Sequence, residues 1–291
     1  MGEIFALSTA VVWAGAVIFF KRSGETVSPF GLNLFRVVVS SVLLIATLGV
    51  TGQPLLGVAP FSDYLILIFS GLIAIAAADT LFHKSLNMVG AGITAIIDSL
   101  YPVFVVVLAY VLLGERMGPW QYGGMAMVLG GLFVAGGHAP PPDTARRTMV
   151  IGVLWGAAGM FLLSFGVVIA KPVLERTPVL WATTVRQLAC LVVMIPYVMF
   201  SSRRRIYLDV FRPRRDWRFT LPGTVLGSYL ALTLWLAGMK YTQAGVAAIL
   251  NQTSTIYVMI FATLFLRESF TRRKLLAASL AIGGILMVTT G

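Results

Sequence analysis

Four ionisable residues stand inside long apolar stretches of the sequence, where charged side chains are rare. Arg36 and Arg186 are basic, and Asp79 and Asp98 are acidic. A charge at the centre of a membrane-spanning helix costs roughly 2.5–3.5 kcal/mol on insertion scales, so such groups face a cavity or a partner. The arginines predict binding of a carboxylate or phosphate, or a lock between two parts of the chain. The aspartates predict proton coupling or binding of a substrate amine, with a structural salt bridge, for example from Asp98 to Arg36, as the alternative.

Polar and aromatic residues elsewhere in the apolar stretches extend this candidate site. The polar run 251–255 predicts a wall in contact with water, and aromatic residues either line a cavity or pack between helices. Lys21 and Lys171 each end an apolar run, where snorkelling to the lipid headgroups or a gating or binding role explains them. The candidates for substrate binding or coupling are Arg36, Arg186, Asp98, Asp79, Asn251, Gln252, Thr253, Tyr101, Trp13, Tyr257, Lys21 and Lys171, with Tyr229 and Trp235 as further lining residues.

Patterns typical of enzymes do not accompany these residues. The sequence has no metal-ligand cluster, no nucleophile paired with a base and no glycine-rich phosphate-binding loop. We therefore expect no catalytic residue, no metal and no cofactor. The one cysteine, Cys190, allows no internal disulfide.

Composition determines which elements carry the candidate residues. Of 291 residues, 58% are hydrophobic and 11% are charged, and the mean hydropathy is +0.90. Soluble domains carry about 25% charged residues, so this composition excludes a soluble enzyme, a disordered chain and a disulfide scaffold. We predict an all-α polytopic membrane protein. The net charge of +11 does not indicate nucleic-acid binding, because the basic residues lie mostly in short gaps between apolar runs.

The apolar runs predict ten transmembrane helices, since each span needs roughly 20 residues and the gaps carry Pro and Gly. The predicted spans lie near residues 2–20, 30–49, 62–83, 92–113, 118–137, 149–170, 179–200, 219–239, 245–266 and 273–290.

The two halves of the chain repeat each other. Ala91–Asp98 aligns with Ala244–Asn251 at an offset of 153, and an offset of 150 sets Arg36 on Arg186. Five spans per half is an odd number, so the second repeat is inverted relative to the first, as in many secondary transporters. The predicted boundaries are a first five-helix repeat over 1–137, a linker over 138–148 and a second repeat over 149–291.

An ordered set of short motifs carries a family resemblance. The motifs are Trp13, Lys21, Ser28-Pro29, Arg36, Gly90-Ala91-Gly92, Leu113-Gly114-Glu115-Arg116 and Gly130-Gly131, and, in the second half, Lys171, Thr177-Pro178, Arg186, Leu266-Arg267-Glu268-Ser269 and Gly283-Gly284. In this order they resemble the drug/metabolite transporter superfamily, specifically its EamA-type ten-helix members. The resemblance implies that helices 1–4 and 6–9 surround a central cavity.

The sequence departs from the superfamily pattern at two places. Small four-helix relatives carry an essential Glu in helix 1, whereas the stretch Ile4–Phe20 has no acidic residue. Asn251 stands opposite Asp98, so the two repeats differ there. The resemblance does not specify the ligand, because members export amino acids or other metabolites, or exchange phosphorylated sugars and nucleotide-sugars.

These observations predict a secondary transporter, and more specifically an exporter, of small polar metabolites such as amino acids or their analogues. Transport would proceed by alternating access through the central cavity. The alternative is a flippase or exchanger of phosphorylated or lipid-linked substrates, and a third hypothesis is a structural or sensor protein. The expected partners are a small-molecule substrate, protons as a candidate coupling ion, and membrane lipids, with the chain as a monomer or a homodimer.

The distribution of basic residues predicts an orientation in a prokaryotic inner (cell) membrane. Sixteen Lys and Arg residues lie in the gaps on one side, including the arginine-rich loop 201–218, and four lie on the other. The positive-inside rule therefore predicts a cytoplasmic loop 201–218 and extracytoplasmic termini. The resemblance implies cytoplasmic termini in many members, so the two expectations conflict.

Overall fold

The computed structural model describes residues 1–23, 27–135, 146–213, 215–266 and 272–291, which form helices and short connections. The predicted linker over 138–148 lies outside the described residues up to position 145, and its last three residues belong to the helix that begins at Arg146. Within the described ranges there is no β-strand. The prediction of an all-α polytopic membrane protein is confirmed at this level.

The described part of the first half forms α-helices and one π-helical segment. The α-helices are α1 (Gly2–Ser23), α2 (Pro29–Val50), α3 (Phe61–Gly71), α4 (Ala78–Asp98), α5 (Leu100–Leu113) and α6 (Pro119–Ala135). The π-helical segment π1 (Leu72–Ala77) joins α3 to α4. Ser28 begins α2, because its hydroxyl accepts a hydrogen bond from Gly31 N at 3.2 Å and Pro29 needs no amide partner there.

The second half contains a similar series. The α-helices are α7 (Arg146–Arg176), α8 (Val179–Phe200), α9 (Arg204–Leu208), α10 (Trp217–Thr224), α11 (Leu232–Tyr241), α12 (Ala244–Gln252), α13 (Ser254–Leu266) and α14 (Arg272–Thr290). A second π-helical segment, π2 (Val225–Ala231), joins α10 to α11. The segments π1 and π2 begin 153 residues apart, at the same offset that aligns Ala91–Asp98 with Ala244–Asn251.

Eight helical stretches of the described chain are long and apolar enough to cross a membrane. They are Gly2–Phe20, Phe30–Val50, Phe61–Leu86, Ile96–Leu113, Arg146–Arg176, Val179–Phe200, Trp217–Tyr241 and Ala244–Phe265. The other two predicted spans, 118–137 and 273–290, contain helices within their described residues. They form α6, which has 17 residues, and α14, whose apolar part is Leu275–Thr290.

Helix α4 reverses direction along its length. A Cβ placed on Gly156 of α7 would lie 2.6 Å from Ser85 Oγ and 2.8 Å from Ile97 Cγ2. In a straight helix these two residues would stand about 18 Å apart along the axis. The chain therefore turns back between Ser85 and Ile97, which separates the third span from the fourth.

Packing brings each half into contact with the other. Helix α7 packs against α3, π1, α4 and α5, while α1 packs against α10, π2, α11, α12 and α13. Helix α2 packs on α8, and α6 packs on α14. Because the first helix of each half lies against the other half, any space between the halves has walls from both.

Helices α6 and α14 approach until their backbones touch. A Cβ on Gly124 would lie 2.6 Å from the Gly284 carbonyl oxygen, and a Cβ on Gly284 would lie 2.6 Å from the Gly124 carbonyl oxygen. Only glycine permits such an approach, which is typical of helix pairs in membranes.

Candidate functional site

A cavity of about 550 Å³ lies between the two halves of the chain. This volume is in the range of small-molecule sites. Of the sequence-predicted site residues, the cavity is lined by Trp13, Arg36, Asp79, Asp98, Tyr101, Asn251 and Gln252. Trp235, which the sequence also suggested, lines it as well. The structure thus brings together charges and amides that are far apart in the chain, such as Arg36 and Gln252.

Arg36 is held on one wall of the cavity by several contacts. Its Nε donates a hydrogen bond to Ser228 Oγ at 2.9 Å, and its Cζ lies 4.5 Å from the ring centroid of Phe20 and 5.6 Å from that of Trp13. Asp79 is its electrostatic partner. The salt bridge suggested between Asp98 and Arg36 is wrong, because no ion pair joins these two described residues and the carboxylate that interacts with Arg36 is that of Asp79 in the preceding span.

Two helix interruptions meet beside Asp98. Helix α4 ends at Asp98, and α12 ends at Gln252, with α5 and α13 following after one residue. Pro102 has no amide hydrogen, so the Asp98 carbonyl loses its helical donor. Gln252 Nε2 replaces that donor, at 2.9 Å from the Asp98 carbonyl oxygen, and also interacts with the Asp98 side chain. The break thus keeps an acidic residue in the cavity wall while its backbone remains satisfied.

Arg186 lies behind two aromatic residues of the cavity wall. Its Cζ is 5.9 Å from the ring centroid of Trp235, and the Trp235 and Tyr101 ring centroids are 6.5 Å apart. Arg186 is only 2% exposed. Its three guanidinium nitrogens, the Tyr101 hydroxyl and the Trp235 indole nitrogen have no hydrogen-bond partner in the described part of the chain. Asn251 Oδ1 is likewise without one there.

Lys171 lies away from the cavity in a buried cluster of polar groups, which we call the lysine cluster. Its Nζ donates hydrogen bonds to the carbonyl oxygens of Met239 at 2.6 Å and Thr242 at 2.7 Å. The same nitrogen lies 3.4 Å from Glu115 Oε1 and 3.1 Å from Glu175 Oε1. Since Lys171 is 4% exposed, the expectation that it snorkels to the headgroups is wrong. Glu115 joins the cluster to α12, because its Oε2 accepts a hydrogen bond from Ala244 N at 2.7 Å.

Of the remaining sequence candidates, three with described side chains do not line the cavity. The Thr253 hydroxyl donates to the Leu250 carbonyl at 2.6 Å, and the Tyr229 hydroxyl pairs with Thr47 Oγ1 at 2.8 Å. Tyr257 lies in α13 outside the lining. Lys21 lies in α1, and its side chain is outside the described part of the structure.

Sequence reasoning missed five polar residues of the cavity wall. These are Thr9, Asn33, Thr94, Gln187 and Ser228. Gln187 Nε2 donates to Ser40 Oγ at 2.6 Å, which ties α8 to α2 beside the cavity. Asn33 and Gln187 stand inside apolar runs, so the signal that singled out the arginines would have found them. Nothing in the sequence distinguishes Ser228 from the other serines of the spans.

A family comparison identifies the class of protein that this cavity belongs to. The model of the EamA-like transporter family matches residues 1–137 and 150–290. This chain belongs to the EamA-like transporter family. The resemblance drawn from the motifs is therefore confirmed.

Relatives of this EamA-like transporter have names of the same class. The probable terminal-alkyne amino-acid exporter of Streptantibioticus cattleyicolor is 26% identical, over 96% of this chain and 90% of that protein. An uncharacterized transporter of Archaeoglobus fulgidus is 21% identical, over 98% of this chain and 96% of its own. Family and relatives thus indicate a multi-pass membrane transporter rather than an enzyme.

A solved crystal structure supports the fold of this EamA-like transporter. The two chains match with a TM-score of 0.82 at 18% sequence identity, over 99% of this chain and 96% of the other. At this identity the likeness concerns the arrangement of helices and not the substrate.

Proposed function

We propose that this EamA-like transporter is a secondary transporter, working as an exporter, of small polar metabolites such as amino acids or their analogues. The observation that carries the proposal is the cavity itself, which has charges of both signs on walls from both halves. A zwitterion carries one cation and one anion, and a cavity with Asp98 and two arginines at or behind its wall offers a counter-charge for each. The name of the Streptantibioticus relative supports an amino-acid-like substrate.

We further propose that the chain has ten transmembrane helices arranged as two inverted repeats. Support comes from features that recur at matching positions, since π1 and π2 begin 153 residues apart and the breaks at Ser99 and Thr253 are 154 apart. The packing partners exchange in the same way, because α1 lies against α10–α13 and α7 against α3–α5. An inverted arrangement provides two related conformations, each open to one side, and hence alternating access.

The proposed location is the prokaryotic inner membrane, with loop 201–218 in the cytoplasm. Arg203, Arg204 and Arg205 are exposed in this loop, as a contact with anionic headgroups requires.

Counterflow in proteoliposomes tests the function. The purified chain is reconstituted in vesicles loaded with unlabelled amino acids, and uptake of the labelled compound is followed. We expect accumulation of at least one amino acid, and at least a tenfold loss in the Arg36→Gln, Asp98→Asn double variant. The matched control, Arg205→Gln, removes an exposed arginine and should transport normally.

Two outcomes would contradict the proposed function. Counterflow that survives unchanged in the double variant would exclude the cavity charges as the substrate site. Counterflow confined to sugar phosphates would indicate an exchanger of phosphorylated substrates instead of an amino-acid exporter. Movement of labelled lipid alone would indicate a flippase.

A further inference from the structure

The two arginines of the repeats have different surroundings. Arg36 has a hydroxyl partner, two aromatic faces and an aspartate that interacts with it. Arg186 has one aromatic face, that of Trp235 at 5.9 Å, and none of its nitrogens makes a hydrogen bond within the described residues. Residues that align in sequence therefore perform different tasks, and only Arg186 retains its full set of donors.

A buried guanidinium without acceptors is costly. Arginine carries five N–H donors and stays protonated in proteins. Desolvating an ion costs several kcal/mol unless a partner compensates it. The groups that interact electrostatically with Arg186 among the described residues are Cys190 and Tyr101, which are both neutral at physiological pH. The surroundings of Arg186 thus supply no anion, so an anion from outside the protein fits this position.

Two more donors converge on the same part of the wall. The Trp235 indole N–H and the Tyr101 O–H are buried, interact with each other, and have no further hydrogen-bond partner in the described structure. The three side chains come from α8, α11 and α5, so they approach from different directions. Trp235 and Tyr101 border the cavity directly, and the Arg186 guanidinium lies immediately behind the Trp235 ring, so the subsite begins at the cavity wall.

The backbone of Arg186 is fixed against a neighbouring helix. A Cβ on Gly71 would lie 2.5 Å from the Arg186 carbonyl oxygen, so α3 and α8 touch at this residue. One turn further along α8, Cys190 Sγ approaches the Gly71 carbonyl oxygen of α3 at 3.5 Å. A rigid position preorganises the guanidinium for a ligand and lowers the entropy cost of binding.

We propose that Arg186, Trp235 and Tyr101 form an anion subsite that binds the carboxylate of the substrate. This assignment rests on the proposed function and specifies which of the two arginines contacts the substrate. Asp98 lines the same cavity as Tyr101 and interacts with it electrostatically, which places a counter-charge for the substrate amine near the subsite. Arg36, held by Ser228 and Asp79, is a positioning residue of the wall.

Binding of matched neutral and anionic probes tests the subsite without requiring transport. Purified protein in nanodiscs is titrated calorimetrically with 4-methylpentanoate and with 4-methylpentanamide, which have the same shape and differ in charge. We expect the wild type to bind the carboxylate at least tenfold more tightly than the amide. In Arg186→Gln this preference should disappear, while Arg205→Gln should retain it.

Two milder variants keep the test decisive if Arg186→Gln does not fold. Tyr101→Phe and Trp235→Phe each delete one donor and keep an aromatic ring at the position, so we expect each to weaken carboxylate binding roughly fivefold and to leave amide binding unchanged. Equal carboxylate and amide affinities in the wild type would overturn the proposal. A folded Arg186→Gln variant that still prefers the carboxylate over the amide as the wild type does would also overturn it. The same preference in both Tyr101→Phe and Trp235→Phe would overturn it as well.

Inorganic phosphate, as a third probe, separates the two sources of an oxyanion. Binding of phosphate that depends on Arg186, together with no binding of the carboxylate, would overturn the carboxylate assignment.

Failure of the subsite and failure of the proposed function can be distinguished. Amino-acid counterflow that continues without the charge preference refutes the subsite alone, whereas an Arg186-dependent preference in a protein without counterflow refutes the function alone.

Discussion

Lys171 and Arg186 are two buried cations of the second half, and their partners differ completely. Lys171 meets two carboxylates and two backbone carbonyls in the lysine cluster. Arg186 meets an indole face and has no hydrogen bond among the described groups. Their burial is similar, at 4% and 2% exposed. Burial of a charge therefore does not distinguish a structural residue from a binding residue, whereas the set of its partners does.

Loss of Lys171 and loss of Arg186 should therefore have opposite effects on stability and on anion binding. Removing Lys171 would leave a carboxylate and two carbonyl oxygens without their ammonium donor, so the free energy of unfolding should fall. Removing Arg186 would deprive no described group of a hydrogen bond, so the free energy of unfolding should not fall, while binding of the anion should be lost. Measurements of unfolding and of anion binding on the same variants therefore test whether Lys171 is structural and Arg186 binds an anion.

The largest effect on stability is expected for Lys171→Met. Breaking a buried ion pair on one side costs about 3–5 kcal/mol, and here Glu115 would remain with a much reduced set of partners. The measurement is thermal unfolding in nanodiscs, where the variant should unfold well below the wild type. Lys84→Met is the matched control, because Lys84 is exposed on the Trp155 ring and its loss should cost less than about 1 kcal/mol. Equal unfolding of the two variants would show that the lysine cluster is not structural.

An intermediate effect is expected for Ser228→Ala. The variant deletes the acceptor of the Arg36 hydrogen bond, and hydrogen bonds to charged groups are worth about 1.5–3 kcal/mol. Chemical denaturation in detergent should register this loss. As a control, Thr233→Ala deletes a hydroxyl that donates only to the Tyr229 carbonyl of the preceding turn, and it should be nearly neutral. A stability of Ser228→Ala equal to that of Thr233→Ala would mean that Arg36 is not anchored by this contact.

The smallest effect on stability is expected for Arg186→Met. Replacing a buried charge that has no hydrogen-bond partners by an apolar side chain is neutral or stabilising, so the change should stay below about 1 kcal/mol or raise stability. The same thermal unfolding assay, without ligand, provides the measurement. A loss as large as that of Lys171→Met would reveal structural partners for Arg186 and remove the distinction between the two cations.

Much of the helical architecture follows from the sequence because its signals are local. Apolar runs of about 20 residues place the spans, and Ser28-Pro29 marks the start of α2 before any coordinates are known. Charged residues within those runs, such as Arg36 and Asp98, are conspicuous for the same reason, since water would otherwise have to solvate them. These features depend on neighbours in the chain alone.

Partner choice could not be read from the sequence because it depends on packing between distant segments. The chain alone does not show that Arg36 faces Asp79 rather than Asp98, or that Lys171 reaches Glu115. The repeat alignment marks Glu115 and Lys171 separately, each with a counterpart in the other half, but contains no distance between them. The π-helical segments have no sequence signal either, although Ser228 in π2 holds Arg36.

The glycine contact between α6 and α14 has a mechanical consequence. At Gly124 and Gly284 the two backbones touch, and Val288 and Val128 pack against these glycines from the facing helix. One of the two helices belongs to each half, so the contact joins the halves at a point where neither helix can take a larger side chain without moving away from the other.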